Sequence, residues 1–170
     1  MAKIGLFYSG SPKGSTHKVA SLIRDTMGKA NVDMHNIANV KPKDIEKYEF
    51  LILGTSAWGI GDMHRDWEMF IDSLSEIDFK GKKVALFGLG DQKIYPESFV
   101  DGMGTIYCRL PDKSVVVGFW PITGYEYYFS SAEKDGQFIG LAIDDDSQPE
   151  LTSTRIEKWT GILKKEFKIN

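Results

Sequence analysis

One cysteine, Cys108, and three histidines are all that this chain of 170 residues offers in soft metal ligands. A lone cysteine forms no internal disulfide and no cysteine-cluster metal site. His17, His35 and His64 are far apart and no two stand at metal-ligand spacing. Positive charge is not in excess: 21 Lys and Arg against 24 Asp and Glu leave a net charge of −3, which gives no electrostatic footprint for nucleic acid. No apolar run approaches the roughly 18 residues of a membrane span. The apolar stretch near the N-terminus is too short for a signal peptide and lacks a cleavage site. Repeats, low-complexity segments and flexible linkers are absent too. What remains is the profile of one domain over residues 1–170, large enough for a real core and suited to the cytoplasm.

The most informative stretch is Lys3 to Thr16. Its first half, Ile4-Gly5-Leu6-Phe7-Tyr8, reads as a fully buried strand of a parallel sheet. Its second half, Ser9-Gly10-Ser11-Pro12-Lys13-Gly14-Ser15-Thr16, has no bulky apolar residue. Val19, Leu22, Ile23 and Met27 then recur at helical spacing, so a helix opens near Ser15 or Thr16 and closes at Gly28. A strand that feeds a hydroxyl-rich turn and a helix N-terminus suits an anion such as phosphate, because the first amides of a helix lack internal partners. The alternative is an ordinary loop with Ser or Thr as N-cap. It is neither a Walker loop nor a dinucleotide fingerprint.

Further on, Val32–Ile37 alternates like an edge strand and Lys41–Lys47 suggests a short solvated helix around Ile45. Phe50–Gly54 and Lys83–Phe87 are buried strands, and Val115–Trp120 is a further strand. Between them, Trp67, Phe70, Ile71 and Leu74 mark one helix face, and Phe99, Met103, Ile106, Tyr107 and Leu110 a second. Cys108 falls in that second helix, where a buried, small apolar role is expected of it. From Trp120 to Phe138 helical periodicity vanishes, and Ile139–Ile143 is strand again, so the last strand is interrupted by an aromatic-rich insertion. A final helix turns Ile156, Trp159, Ile162, Leu163 and Phe167 inward. The alternation implies an α/β doubly wound parallel sheet, whose ligands bind at the carboxyl ends of the strands. Three loops emerge there: Ser9–Thr16, Thr55–Gly61 and Gly88–Tyr95. Trp58 and Tyr95 either pack over neighbouring elements or stack on a flat ligand.

Taken together, these stretches resemble the flavodoxins of the long-chain type, over nearly the whole chain. The resemblance is carried by Lys3–Tyr8 with its hydroxyl loop, Trp58-Gly-Ile-Gly with Asp66-Trp67, Gly88-Leu-Gly-Asp-Gln with Tyr95, Gly136–Asp146, and Leu151-Thr with Arg155-Ile and Trp159. It implies a five-stranded sheet of order 2-1-3-4-5 with helices on both faces and FMN at its edge, a placement borrowed from the family. By that resemblance, Ser11, Pro12, Lys13, Gly14, Ser15 and Thr16 hold the FMN phosphate, and Trp58 and Tyr95 sandwich the ring. Ser56, Ala57, Gly59, Ile60 and Gly61 line the ring edge, Leu89, Gly90, Asp91 and Ser98 bound the pyrimidine side, and Asp146 lies near the ribityl chain. The loop departs from the family in carrying Ser9 as an extra residue, Pro12 without an amide hydrogen, and Lys13 where threonine is usual.

The implied activity is low-potential, one-electron transfer between redox proteins, mainly between semiquinone and hydroquinone, by a monomer that is not an enzyme. In that scheme the Gly59 carbonyl turns toward the flavin, and Asp62, Asp66, Asp91 and Asp144–Asp146 disfavour added negative charge where they stand close. The Asp144–Asp146 run has a blander reading as a solvated turn. His64 and Arg65 are either a solvated helix start or rim charges that select a partner. Two rivals remain on sequence grounds. One is an NAD(P)H-dependent FMN or quinone reductase of the same fold. The other is a receiver-like signalling domain, which would want acidic residues after the first strand where Tyr8-Ser9-Gly10 offers none.

Overall fold

The computed structural model describes residues 3–58 and 62–170, with the side chains of Trp58 and Asp62 outside the description. Its centre is β1 (Ile4–Tyr8), buried at every residue. On one side β1 pairs in parallel with the edge strand β2 (Val32–Asn36), and on the other with β3 (Phe50–Trp58). Next comes β4 (Lys83–Leu89), parallel to β3. The fifth strand, β5, is in two pieces, Val116–Val117 and Leu141–Ile143, both parallel to β4. The order is therefore 2-1-3-4-5, as the resemblance implies. Helix α1 (Ser15–Met27) packs against α5 (Thr152–Glu166) on one face. The short α2 (Pro42–Glu46), then α3 (Arg65–Phe70) with the 3₁₀ turn Ile71–Glu76, and α4 (Asp101–Arg109) cover the other.

Burial follows the apolar pattern. Val19, Ile23 and Met27 of α1 and Ile156, Trp159 and Leu163 of α5 lie inside with Phe167, and Trp67, Phe70, Ile71 and Leu74 pack beneath the opposite face. Close packing shows at Gly54, where a methyl group would stand 2.0 Å from Cζ of Phe87. Strands β3 and β4 run further than their apolar runs suggest, through Ser56 and Leu89, because the register pairs Thr55 with Gly88 and Ser56 with Leu89. Two expectations of burial fail. Ile162 is exposed because it sits on the outer face of α5. Cys108 does lie in α4, but on its solvent side, while Met103 and Ile106 fill the core.

The insertion is stitched down rather than loose. Trp120–Pro121, Gln137–Phe138 and Glu133–Lys134 form a small antiparallel sheet. Tyr125, Tyr127 and Phe138 cluster with Phe99, with ring centroids between 5.1 and 6.0 Å apart. The Tyr125 hydroxyl donates to the carbonyl of Ala142 at 2.6 Å and accepts from Trp120 Nε1 at 2.8 Å. Burial pushes that phenol up to about 12.

Asp144, just past β5, is fully buried and not part of a solvated turn. Its carboxylate accepts from the Gln92 amide at 3.0 Å, Gln92 Nε2 at 2.8 Å, the Ser147 amide at 2.9 Å and the Ser147 hydroxyl. Burial alone would raise its pKa, but the bonds from Ser147 and Gln92 together hold it below the usual carboxylate range.

Asp144 therefore adds stability above the ordinary carboxylate range, and that contribution disappears as pH falls through the depressed folded-state value. Asp144→Asn should destabilise by about 2–4 kcal/mol near neutral pH, the gap from the parent narrowing below about pH 4. Urea unfolding as a function of pH measures both. Gly54→Ala should lower stability by about 1–3 kcal/mol through overpacking against Phe87. A thiol reagent should label Cys108 in the folded protein without a denaturation step.

Candidate functional site

The parallel register brings the ends of β1, β3 and β4 to one edge, and the chain leaves each in a loop without apolar bulk. After β1, Ser9 turns inward, buried, with its Oγ 3.3 Å from Thr55 Oγ1 on β3. The Thr55 hydroxyl donates to the Ser56 carbonyl, so Ser9 is the donor of that pair. The extra loop residue is thus a tie between two strands. Gly10 has φ of +113°, in the region that glycine favours, and its carbonyl accepts from Asn36 Nδ2 at 2.9 Å. Lys13 has φ of 68°, a left-handed conformation that turns the chain into α1. The Gly14 amide donates to the Ser11 carbonyl at 3.0 Å, closing the turn.

Gly14 is the N-cap of α1 and brings no side chain to cap it. The first amides of a 13-residue helix therefore open onto the edge of the sheet with the positive end of its dipole. Thr16 is buried beneath them, and Ser11 and Ser15 stand in solvent around them.

After β4 the chain winds about Asp91. Asp91 Oδ1 accepts from the amides of Lys93 and Ile94 at 3.0 and 3.1 Å, and its carbonyl accepts from the Tyr95 amide at 2.9 Å. That turn leaves Tyr95 39% exposed. The Ser98 amide donates to the Tyr95 carbonyl at 3.3 Å.

A cavity of about 480 Å³ joins these parts. Ser11, Gly14, Ser15 and Thr16 wall it at the helix terminus, Ser56 and Ala57 along β3, Leu89, Gly90, Asp91 and Tyr95 after β4, and Asp146 past β5. Eleven of the residues singled out from sequence thus converge on one volume. Pro12 and Lys13 are exposed and Ser98 is buried; none of the three lines the cavity. The Trp58 side chain and Gly59, Ile60 and Gly61 lie outside the described residues.

Gly10 and His64 also line the cavity, and His64, expected only as a helix start or a rim charge, stands on its wall. The short strand Asp62–Met63 pairs back antiparallel on Ala57–Trp58, which returns His64 to the cavity. His64 also begins α3: its Nδ1 accepts from the Asp66 amide at 3.1 Å and lies 3.4 Å from the Asp66 carboxylate. Nothing in the spacing of His64 announces this, because the return depends on strand pairing.

The cavity is electrically polarised. The helix terminus offers donors, while Asp91 and Asp146 put carboxylates on the wall. Desolvation first, then repulsion from Asp91, Asp144 and Asp145, raises the Asp146 carboxyl above its ordinary value. Asp145 is drawn off by Lys18 at 3.3 Å and the Thr152 hydroxyl at 2.8 Å. Among the described residues, no group of three or more acidic, His or Cys side chains is placed to hold a metal. A larger cavity, about 720 Å³, is walled by Gln92, Lys93, Pro96, Gly124–Tyr128 and Gln148. The N-terminus of α1 does not open into it, so it lacks that helix's free first amides, which mark the smaller one.

Comparison with known proteins gives the same picture. The flavodoxin family model matches residues 6–159. A flavodoxin of Synechococcus elongatus is 45% identical over 169 residues, covering 98% of this chain and 99% of that one. Flavodoxin 1 of Escherichia coli is 44% identical over 172 residues, covering 100% of this chain and 97% of its own. The crystal structure of a Fusobacterium nucleatum flavodoxin bound to flavin mononucleotide superposes with a TM-score of 0.90 at 39% identity, covering 98% of this chain and 99% of that chain. Sheet order, interrupted last strand, loop chemistry and these matches agree: the chain belongs to the flavodoxin family.

Proposed function

We propose that the cavity binds flavin mononucleotide and that the protein, acting as one domain, carries electrons between redox partners. The observation that supports this most is the meeting, in one cavity of about 480 Å³, of an uncapped helix terminus and a half-exposed tyrosine ring. That volume falls in the range of small-ligand sites. Donors at one end suit a phosphate, and the apolar Ala57 and Leu89 with Tyr95 suit a flat ring system.

In this reading, the Ser11, Ser15 and Thr16 hydroxyls and the first amides of α1 hold the phosphate. Gly14 belongs there because a side chain would crowd the Ser11 carbonyl and hydroxyl, both 3.1 Å from where its Cβ would be. Pro12 contributes shape but no amide, and the exposed Lys13 adds positive charge to the turn. Tyr95 forms one wall for the ring and Trp58 the other. Ser56, Ala57 and Gly59–Gly61 follow the ring edge, Leu89, Gly90 and Asp91 the pyrimidine side, Ser98 holds the Tyr95 carbonyl by its amide, and Asp146 faces the ribityl chain. The bound flavin supplies one-electron chemistry, used mainly between its half-reduced and fully reduced states. The chain's own part is to exclude water with aromatic walls and to set Asp91 and Asp146 where they disfavour added negative charge. Both effects make the last electron harder to add and the carrier a stronger reductant. Among the described residues no helix is long and apolar enough to cross a membrane. The proposal includes a cytoplasmic monomer that meets its partners transiently at the cavity mouth.

Purified protein should bind one equivalent of FMN, with quenching of flavin fluorescence, and should not oxidise NADPH by itself. Protein that takes up no flavin would defeat the proposal; direct NADPH oxidation would favour a reductase. Thr16→Val with Ser11→Ala should weaken FMN by about tenfold to hundredfold and riboflavin hardly at all. Equal losses for both ligands would take the phosphate away from this turn. Asp146→Asn should raise the midpoint potential of the second electron, measured by spectroelectrochemical titration, and an unchanged value would remove Asp146 from the account.

A further inference from the structure

One buried side chain helps to join the insertion to the loop that carries Tyr95. Gln92 follows Asp91 and is itself enclosed. Its backbone amide and its Nε2 both donate to Asp144 Oδ2, at 3.0 and 2.8 Å. Its Oε1 accepts from the amide of Glu126, in the insertion, at 2.6 Å. Slightly further along, the amides of Tyr128 and Phe129 share the Pro96 carbonyl at 2.7 and 3.0 Å. The loop that presents Tyr95 is thereby tied on one side to the end of β5 and on the other to the insertion.

The chemistry of this joint asks for glutamine. One planar group must give a hydrogen to a buried carboxylate and take one from a backbone N–H. A glutamate would set like charges against each other, an asparagine is one methylene short, and lysine and arginine have no acceptor. Both polar atoms of the Gln92 side chain are hydrogen-bonded inside the protein, and Gln92 does not line the smaller cavity.

We propose that Gln92 is a positioning residue for the cofactor site: it transmits the hold of the insertion and of Asp144 to the Asp91–Tyr95 wall. The Tyr95 ring is then placed by a chain of contacts that begins outside the cavity. This rests on the FMN reading above, and the two are separable. FMN titration of the parent protein judges the reading, while a measurement without flavin judges the joint.

The experiment compares the full-length parent with Gln92→Ala. Without flavin, amide hydrogen exchange at Lys93, Ile94, Tyr95, Tyr128 and Phe129 should quicken about tenfold or more, while Leu6 and Phe7 of β1 keep parent rates. FMN should bind about tenfold more weakly, and the visible circular dichroism of the bound flavin should change shape. Unchanged exchange in both segments together with parent-like FMN affinity overturns the proposal. So does a uniform rise that includes β1, because it marks general loosening. Gln92→Glu keeps the side-chain volume and the acceptor for Glu126, and serves where the alanine variant fails to fold. Its FMN affinity relative to the parent should be depressed near pH 7 and recover toward about pH 5 as the introduced carboxyl takes up a proton. A ratio of one at both pH values refutes the idea.

Discussion

Everything at the functional edge depends on the parallel pairing of β1, β3 and β4. Parallel strands buried on both faces cannot display side chains along their length, so chemistry is confined to where they stop. Because all run the same way, all stop at the same edge. The register sets Tyr8 beside Gly54 and Ser56 beside Leu89, and so decides which loop residues meet. The hydroxyl turn, the β3 exit and the Asp91 turn are far apart in sequence, yet they share one cavity without any of them having to fold toward the others.

Much of this was legible in the chain, for reasons that differ by element. The buried strands announce themselves as short apolar runs, and the turn after β1 by the sudden loss of bulk. The interruption of the last strand showed as a stretch with no helical period. The residues that resisted reading are those whose environment is set by pairing or by helix phase. Cys108 and Ile162 are apolar by type but sit on the solvent side of α4 and α5, at positions where neighbouring residues already fill the core. Within a helix that is apolar on more than one side, spacing alone does not say which side turns inward.

Polar residues were harder still. Asp144, Asp145 and Asp146 look alike in sequence, and the fold gives them three different situations. Asp144 is enclosed by four donors, Asp145 is paired with Lys18 and Thr152, and Asp146 is left on the cavity wall with its carboxyl raised. Their differences arise largely from partners in other segments, Gln92 for Asp144 and Lys18 for Asp145, which no local pattern reveals. Ser9 teaches the same lesson. It looked like a surplus loop residue, and it is a buried tie between β1 and β3.

The divided fifth strand carries a consequence of its own. Val117 stands opposite Ala85 and Leu141 opposite Phe87, so only Leu86 separates the rungs at which the chain departs and returns. The ladder keeps count across the gap, and the excursion leaves and re-enters through a doorway one residue wide. For a flexible excursion, closing such a doorway costs entropy that grows only logarithmically with its length, about 0.6 kcal/mol for each doubling. The sheet can therefore host detours of very different size here while the geometry of its far edge stays the same, which makes this point of the fold a natural place for variation among relatives.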